Sequence, residues 1–270
     1  MKQRVITAII MIAILLPILI YGKLPFIILG ILLTLVATQE MIDMKETRAK
    51  TPIEVKLFTM VATLMLVFSS FNFKTLSFTN TLTVGLGTMS LLLFILLLVV
   101  IIRKEFTVND AGYYLLTIFY VGSTFHSMLF IRFLGLPLFF FMILVVAITD
   151  SGAYFIGRKF GKRKLAPRIS PNKTLEGSVG GTLSGVIVGV LFGVLTGVST
   201  NVVTLIMMSL VVAVVAQFGD LVASSMKREY GIKDFGKLFP GHGGVLDRLD
   251  SHLYASLALY ILINVLNVVI

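Results

Sequence analysis

The sequence predicts an all-α fold, a polytopic integral membrane bundle of about nine transmembrane helices with a cytoplasmic N-terminus and the C-terminus outside. Three observations carry that expectation. The first is composition: of 270 residues, 57% are hydrophobic and only 13% charged. A soluble domain of this size could not bury so much apolar surface and still face water. The few charges, 7 Pro and absence of Cys also exclude disordered, collagen-like and disulfide-built chains. The second is nine apolar stretches of about 20 residues, the length that crosses a bilayer. The third is that the charges alternate between the two sides as the positive-inside rule requires.

Taken in order, the first stretch, 5–22, follows Lys2 and Arg4. No small-x-small cleavage site precedes Tyr21-Gly22 and a second span follows at once, so an uncleaved helix is expected rather than a signal peptide. Gly22-Lys23-Leu24-Pro25 breaks the chain before 24–42. The basic residues Lys45, Arg48, Lys50 and Lys56 surround the turn into 54–71, and Arg103-Lys104 follows 82–102. The spans 112–131 and 135–157 are divided at Gly135-Leu136-Pro137, and 178–198 and 201–224 at Ser199-Thr200-Asn201; 250–270 is the last. With the N-terminus inside, twenty of the 23 basic residues fall on the inner side, leaving Lys23, Lys74 and Arg132 outside. All 13 acids, from Glu40 to Asp250, fall inside as well, although they take no part in the assignment. An eight- or ten-span reading would break this alternation. The expected organisation is a five-span scaffold, 1–140, and a catalytic region, 141–270, with cytoplasmic loops 158–177 and 225–249. The net charge of +10 is then a matter of topology and of anionic ligands, and no nucleic-acid partner is expected.

Ionisable residues at membrane depth are costly and mark function by default. Three places qualify. One span carries Asp150, in Thr149-Asp150-Ser151-Gly152-Ala153-Tyr154. Another carries Gln217, Asp220, Ser224 and Lys227, spaced along one helical face, with Arg228 beside them. The last begins at Asp247-Arg248-Leu249-Asp250, whose two carboxylates also share a face. Each Asp could simply pair with a neighbouring Lys or Arg. Four carboxylates at matched depth, beside loops with twelve basic residues, are better read as a site. Such a cluster, with three His and no Cys, suits a hard cation with oxygen ligands, Mg²⁺ before Zn²⁺, and it admits a second, monovalent cation. Surrounding Lys and Arg suit phosphates. The loop Phe239-Pro240-Gly241-His242-Gly243-Gly244 could bring backbone N–H groups close to phosphate oxygens. His242 reads as a substrate contact, His126 and His252 as packing histidines, and Tyr154 as an interface anchor or a site residue in equal measure. Six glycines spaced by four, Gly177 to Gly197, predict close helix packing, within the chain before a homodimer seam. Because each step of four drifts by about 40°, the stripe can serve two partner helices.

The run Ser225-Met226-Lys227-Arg228, four residues, Lys233-Asp234-Phe235-Gly236, then Pro240-Gly241-His242-Gly243-Gly244 and Asp247-Arg248-Leu249-Asp250 resembles the signature of the phosphatidate cytidylyltransferases, or CDP-diacylglycerol synthases. Asp150-Ser151-Gly152-Ala153-Tyr154, Ser170-Pro171-Asn172-Lys173-Thr174-Leu175-Glu176-Gly177 and Gln217-Phe218-Gly219-Asp220 are similar to that family too, so the resemblance covers the C-terminal 120 residues or so. Asn172 departs from the basic residue expected before Lys173. The resemblance implies a Mg²⁺-dependent nucleotidyltransferase that joins CTP and phosphatidic acid into CDP-diacylglycerol and pyrophosphate, in a bacterial inner membrane with the site facing the cytoplasm. On that reading Asp220, Asp247 and Asp250 hold the metal. Lys227, Arg228, Lys233 and Arg248 bind phosphates, with Ser224, His242, Gly243 and Gly244 beside them. Ser170, Lys173 and Glu176 form a second loop over the site, and Asp150 supplies a metal contact or an orienting hydrogen bond. The rival expectations are an intramembrane aspartyl protease, which needs a carboxylate dyad sharing a proton, and an ion-coupled transporter, which places its charges near the midplane.

Overall fold

The structure, a computed structural model, describes residues 2–72, 74–78 and 85–264. Its elements are α1 (Lys2–Tyr21), α2 (Lys23–Glu46), α3 (Ile53–Val67), β1 (Phe71–Asn72), β2 (Ser77–Phe78), α4 (Leu86–Ile102), α5 (Val108–Leu134), α6 (Leu136–Phe160), β3 (Lys164–Ala166), β4 (Ser170–Thr174), α7 (Leu175–Thr196), α8 (Val202–Glu229) and α9 (Val245–Asn264). A helix stands at each of the nine apolar stretches; the start of the fourth, 82–84, and the end of the ninth, 265–270, lie outside the described residues. Among the described residues α2, α5, α6, α7 and α8 are long and apolar enough to cross a membrane, while the apolar segments Ile9–Tyr21 and Leu86–Ile102 are shorter. The result is an all-α integral membrane protein.

The helices outrun the apolar stretches at their charged ends. α8 continues through Lys227 and Arg228 to Glu229, and α9 starts at Val245, which places Asp247 in its first turn. Hydropathy finds the lipid-compatible part of a helix, whereas backbone hydrogen bonding carries on past it. α7 begins where the Thr174 side chain accepts from Gly177 N–H. Two short antiparallel hairpins add to the helices: β1–β2, pairing Phe71 with Phe78, and β3–β4, pairing Ala166 with Ser170 and Lys164 with Thr174 across a bulge.

The chain divides into two compact units. The first comprises Met1–Leu129 and Ile232–Asp247. Its core packs Ile42, Val55, Leu66, Leu96, Phe106, Tyr114 and Ile118. Buried Thr34, Thr38, Thr59 and Thr63 donate to the carbonyl four residues back, which satisfies these four hydroxyls within their own helices. α2 is held against α5 by the Lys45–Asp110 ion pair and by Tyr113 OH, which donates to Met41 O at 2.6 Å. His126 is a packing residue: its Nδ1 lies 2.8 Å from Val67 O and its ring meets Phe78 edge-on.

The second unit comprises Phe130–Gly231 and Arg248–Ile270. Gly177, Gly181, Gly185, Gly189 and Gly193 form the buried face of α7. A Cβ on Gly181 would meet Ala153 of α6, and one on Gly185 would overlap Thr149 Oγ1. At Gly189 it would strike Val145 of α6 and Ser209 of α8, and at Gly193 Leu205 of α8. The stripe therefore packs within the chain and passes from one partner helix to the next, as its drift predicts. Offset by two positions, Val179, Leu183, Ile187, Leu191 and Leu195 are exposed on the opposite face. This is the polarity of a lipid-bathed helix, with small residues toward protein and large apolar ones toward solvent hydrocarbon.

Candidate active site

In the second unit, α6, α8 and the β3–β4 hairpin enclose a pocket of about 540 Å³, lined among others by Asp150, Tyr154, Arg158, Lys173, Gln217 and Asp220. Its volume is that of a small-molecule site. Asp150 and Tyr154 share one face of α6, and Asp220 and Gln217 one face of α8. Lys173 comes from β4 and forms an ion pair with Asp220 Oδ2. Ser224 Oγ donates to Asp220 Oδ1 at 3.2 Å, so both oxygens of this carboxylate are met by side chains. Gln217 Nε2 donates to Thr182 Oγ1 on α7 at 2.9 Å, which fixes its amide. Asp150, Asp220 and Asp250 lie near enough for their charges to act on one another, and buried Lys227 acts favourably on Asp250. This unit thus brings together Asp150, Lys173, Asp220, Ser224, Lys227 and Asp250. Arg228 and Arg248 are exposed on their helices.

Glu176 and Ser170 lie outside that pocket's lining. Glu176 accepts from the N–H groups of Lys162 at 2.9 Å and Arg163 at 3.1 Å, clasping the entry to β3, and it lines an open depression with Arg163. Ser170 opens β4 opposite Ala166.

In the first unit, the signature loop folds on itself. Phe239 N–H donates to Gly243 O at 2.9 Å and His242 N–H to Phe239 O at 2.8 Å. Gly243 has φ +85°, open to glycine without strain. Asp247, only 8% exposed, accepts with Oδ2 from both Phe235 N–H (2.7 Å) and Gly244 N–H (2.9 Å). The N–H groups of Val245 and Leu246 go to the carboxylate of Glu40. The N–H groups of Phe239 and His242 are thus taken up by carbonyls within the loop, and those of Gly244, Val245 and Leu246 by the buried carboxylates of Asp247 and Glu40, so these five are not the donors presented to a phosphate. Lys233, Asp234 and Lys237 of this segment are exposed, and His242 is partly buried.

Glu40 is the residue that sequence reasoning passed over. The signal was there: an ionisable side chain within an apolar span, Ala37-Thr38-Gln39-Glu40-Met41-Ile42, marks function by default.

A family model described as the cytidylyltransferase family matches residues 2–266, and the chain belongs to that family. It is 36% identical to the phosphatidate cytidylyltransferase of Bacillus subtilis (strain 168), covering 97% of each chain. It is 36% identical to that of Staphylococcus haemolyticus (strain JCSC1435) and 35% to that of Staphylococcus aureus (strain COL), over 97% of this chain and 99% of theirs in both cases.

Proposed function

We propose that the chain is a phosphatidate cytidylyltransferase: it transfers CMP from CTP to phosphatidic acid, forming CDP-diacylglycerol and pyrophosphate. The observation that carries this reading is end-to-end similarity to proteins named for that activity. The pocket of the second unit supplies matching chemistry, with basic Arg158 and Lys173 beside carboxylates on membrane helices. A phosphatidate oxygen attacks the α-phosphorus of CTP; the bond from that phosphorus to the bridging oxygen breaks, and pyrophosphate leaves with the electron pair. The nucleophile is already ionised at neutral pH, so no general base is required. Lys173, Lys227, Arg228 and Arg248 neutralise phosphate oxygens, and Asp150 orients the basic side chains beside it.

Among the described residues no three carboxylate or imidazole groups form a ready metal cage. Mg²⁺ is commonly held by one or two carboxylates together with substrate phosphates and water. Asp220 and Asp250, whose charges already act on each other, suit it, and a lysine ammonium on Asp220 occupies a place that favours positive charge. In this reading Asp220 and Asp250 hold Mg²⁺, with Asp247 one turn before Asp250 on the same helix, and a monovalent cation can share the cluster. Mg²⁺ would neutralise charge developing on the phosphates. Nine spans with a cytoplasmic N-terminus, by the charge alternation, put this chemistry at the inner leaflet of a bacterial inner membrane, where lipid and nucleotide meet. The protease reading is disfavoured by the Lys173–Asp220 ion pair, which sets a lysine against a carboxylate where a dyad would set a second carboxylate.

The purified chain, incubated in mixed micelles with radiolabelled CTP and phosphatidic acid, is expected to give a lipid-soluble cytidine product with Mg²⁺ and none with a chelator. No such product with Mg²⁺ sinks the reading; full activity in chelator removes the metal from it.

A further inference from the structure

Glu40, near the end of α2, is 4% exposed, yet among the described residues it takes no Lys or Arg partner. Its two oxygens are instead divided between two backbone donors 205 and 206 residues away: Val245 N–H to Oε1 at 2.7 Å and Leu246 N–H to Oε2 at 2.9 Å. Those N–H groups open α9, where four donors lack intrahelical partners and the helix dipole favours negative charge. A carboxylate at a helix start is ordinarily supplied by the capping residue next to it in sequence. Here a different helix supplies it.

A second, independent observation concerns glycine. A Cβ on Gly236 would sit 2.6 Å from Glu40 Oε1, and one on Gly244 would overlap the same atom. Neither glycine has positive φ, so each is required for space rather than for conformation. The two glycines bracket the loop, and the Glu40 carboxylate fills the room that both leave. α2 is itself anchored at this level, by Tyr113 OH on Met41 O and by Lys45 on Asp110.

From this geometry we infer that Glu40 is a positioning residue for CMP transfer. It clamps the signature loop 236–244 and the first turn of α9, and so sets the placement of Asp247, itself bonded to Gly244 N–H. Glu40 touches no substrate in this role, which rests on the assignment of the signature segment to the active site. Gln is close to isosteric but sets an NH₂ against one of the two N–H donors; Asp is too short to reach both.

The test compares wild type, Glu40→Gln and Glu40→Asp as full chains in lipid nanodiscs, by amide hydrogen exchange and by steady-state kinetics normalised to folded protein. In Glu40→Gln the amides of Val245 and Leu246 are expected to exchange at least about 10-fold faster, and kcat per folded molecule to fall about 10- to 100-fold, the range for a lost hydrogen bond to a charged group. Unchanged exchange at those amides overturns the inference. So does an activity loss that only tracks the folded fraction. Should Glu40→Gln not fold, Gly244→Ala attacks the same contact from the other side. The Glu40→Ala/Gly244→Ala pair is then expected to be no worse than Glu40→Ala alone, and additive losses overturn the coupling. A wild-type chain that exchanges as expected but makes no CDP-diacylglycerol would defeat the proposed reaction and leave the clamp standing.

Discussion

Glu40 and Asp247 in the first unit and Asp150 and Asp220 in the second are held in different ways. In the first, Glu40 and Asp247 are buried and accept from backbone N–H groups of their own fold. In the second, Asp220 is met by a lysine and a serine side chain, and with Asp150 it faces an open pocket. Backbone donors cannot move away without unfolding a turn, so these bonds tie each carboxylate of the first pair to the shape of its loop. Side-chain partners can exchange for a ligand, which is what the proposed reaction asks of the pocket carboxylates. Residue type alone does not set these two pairs apart; the donors that meet them do.

Substitutions test that contrast. Asp220→Asn is expected to have the largest effect, lowering kcat by about 100- to 1000-fold, as loss of a transition-state electrostatic partner does. Its unfolding temperature should stay at the wild-type value, as followed by intrinsic fluorescence. If the variant is instead strongly destabilised, the distinction between the two sets breaks. Asp247→Asn comes next. It weakens the acceptor for Phe235 and Gly244 N–H, so stability falls by about 1–3 kcal/mol together with activity. Denaturation and turnover measured on one preparation would show whether the two move together. Glu176→Gln should matter least. Its bonds are to the backbone N–H groups of Lys162 and Arg163 at an exposed corner, so kcat is expected to change by no more than about 3-fold, in keeping with the small worth of exposed charge contacts. A loss comparable to that of Asp220→Asn would return Glu176 to the loop over the site, where the family resemblance placed it.

Much of the fold was legible because bilayer thickness imposes one length on every span, and because the glycine stripe and its apolar counter-face repeat with the period of a helix. The two hairpins escaped notice. Phe71-Asn72 and Ser77-Phe78 are too short for an alternation to register, and β3–β4 lies within a basic loop whose pairing depends on a bulge. Of the site, Asp150, Asp220 and Lys227 could be chosen from sequence, since charge inside an apolar helix is rare. Their partners were less accessible: Lys173 reaches Asp220 across 47 positions, and Thr182 fixes Gln217 across 35.

By itself, then, the sequence determined that this protein is a membrane-embedded helical bundle and to which enzyme family it belongs. Those properties follow from hydropathy and a contiguous signature, both local along the chain. Only the tertiary structure decided that residues 232–247 group with the N-terminal helices and that Glu40 opens a helix some two hundred residues away. The reason is physical. A buried carboxylate must find donors wherever the fold provides them, and a backbone N–H carries no mark in the sequence.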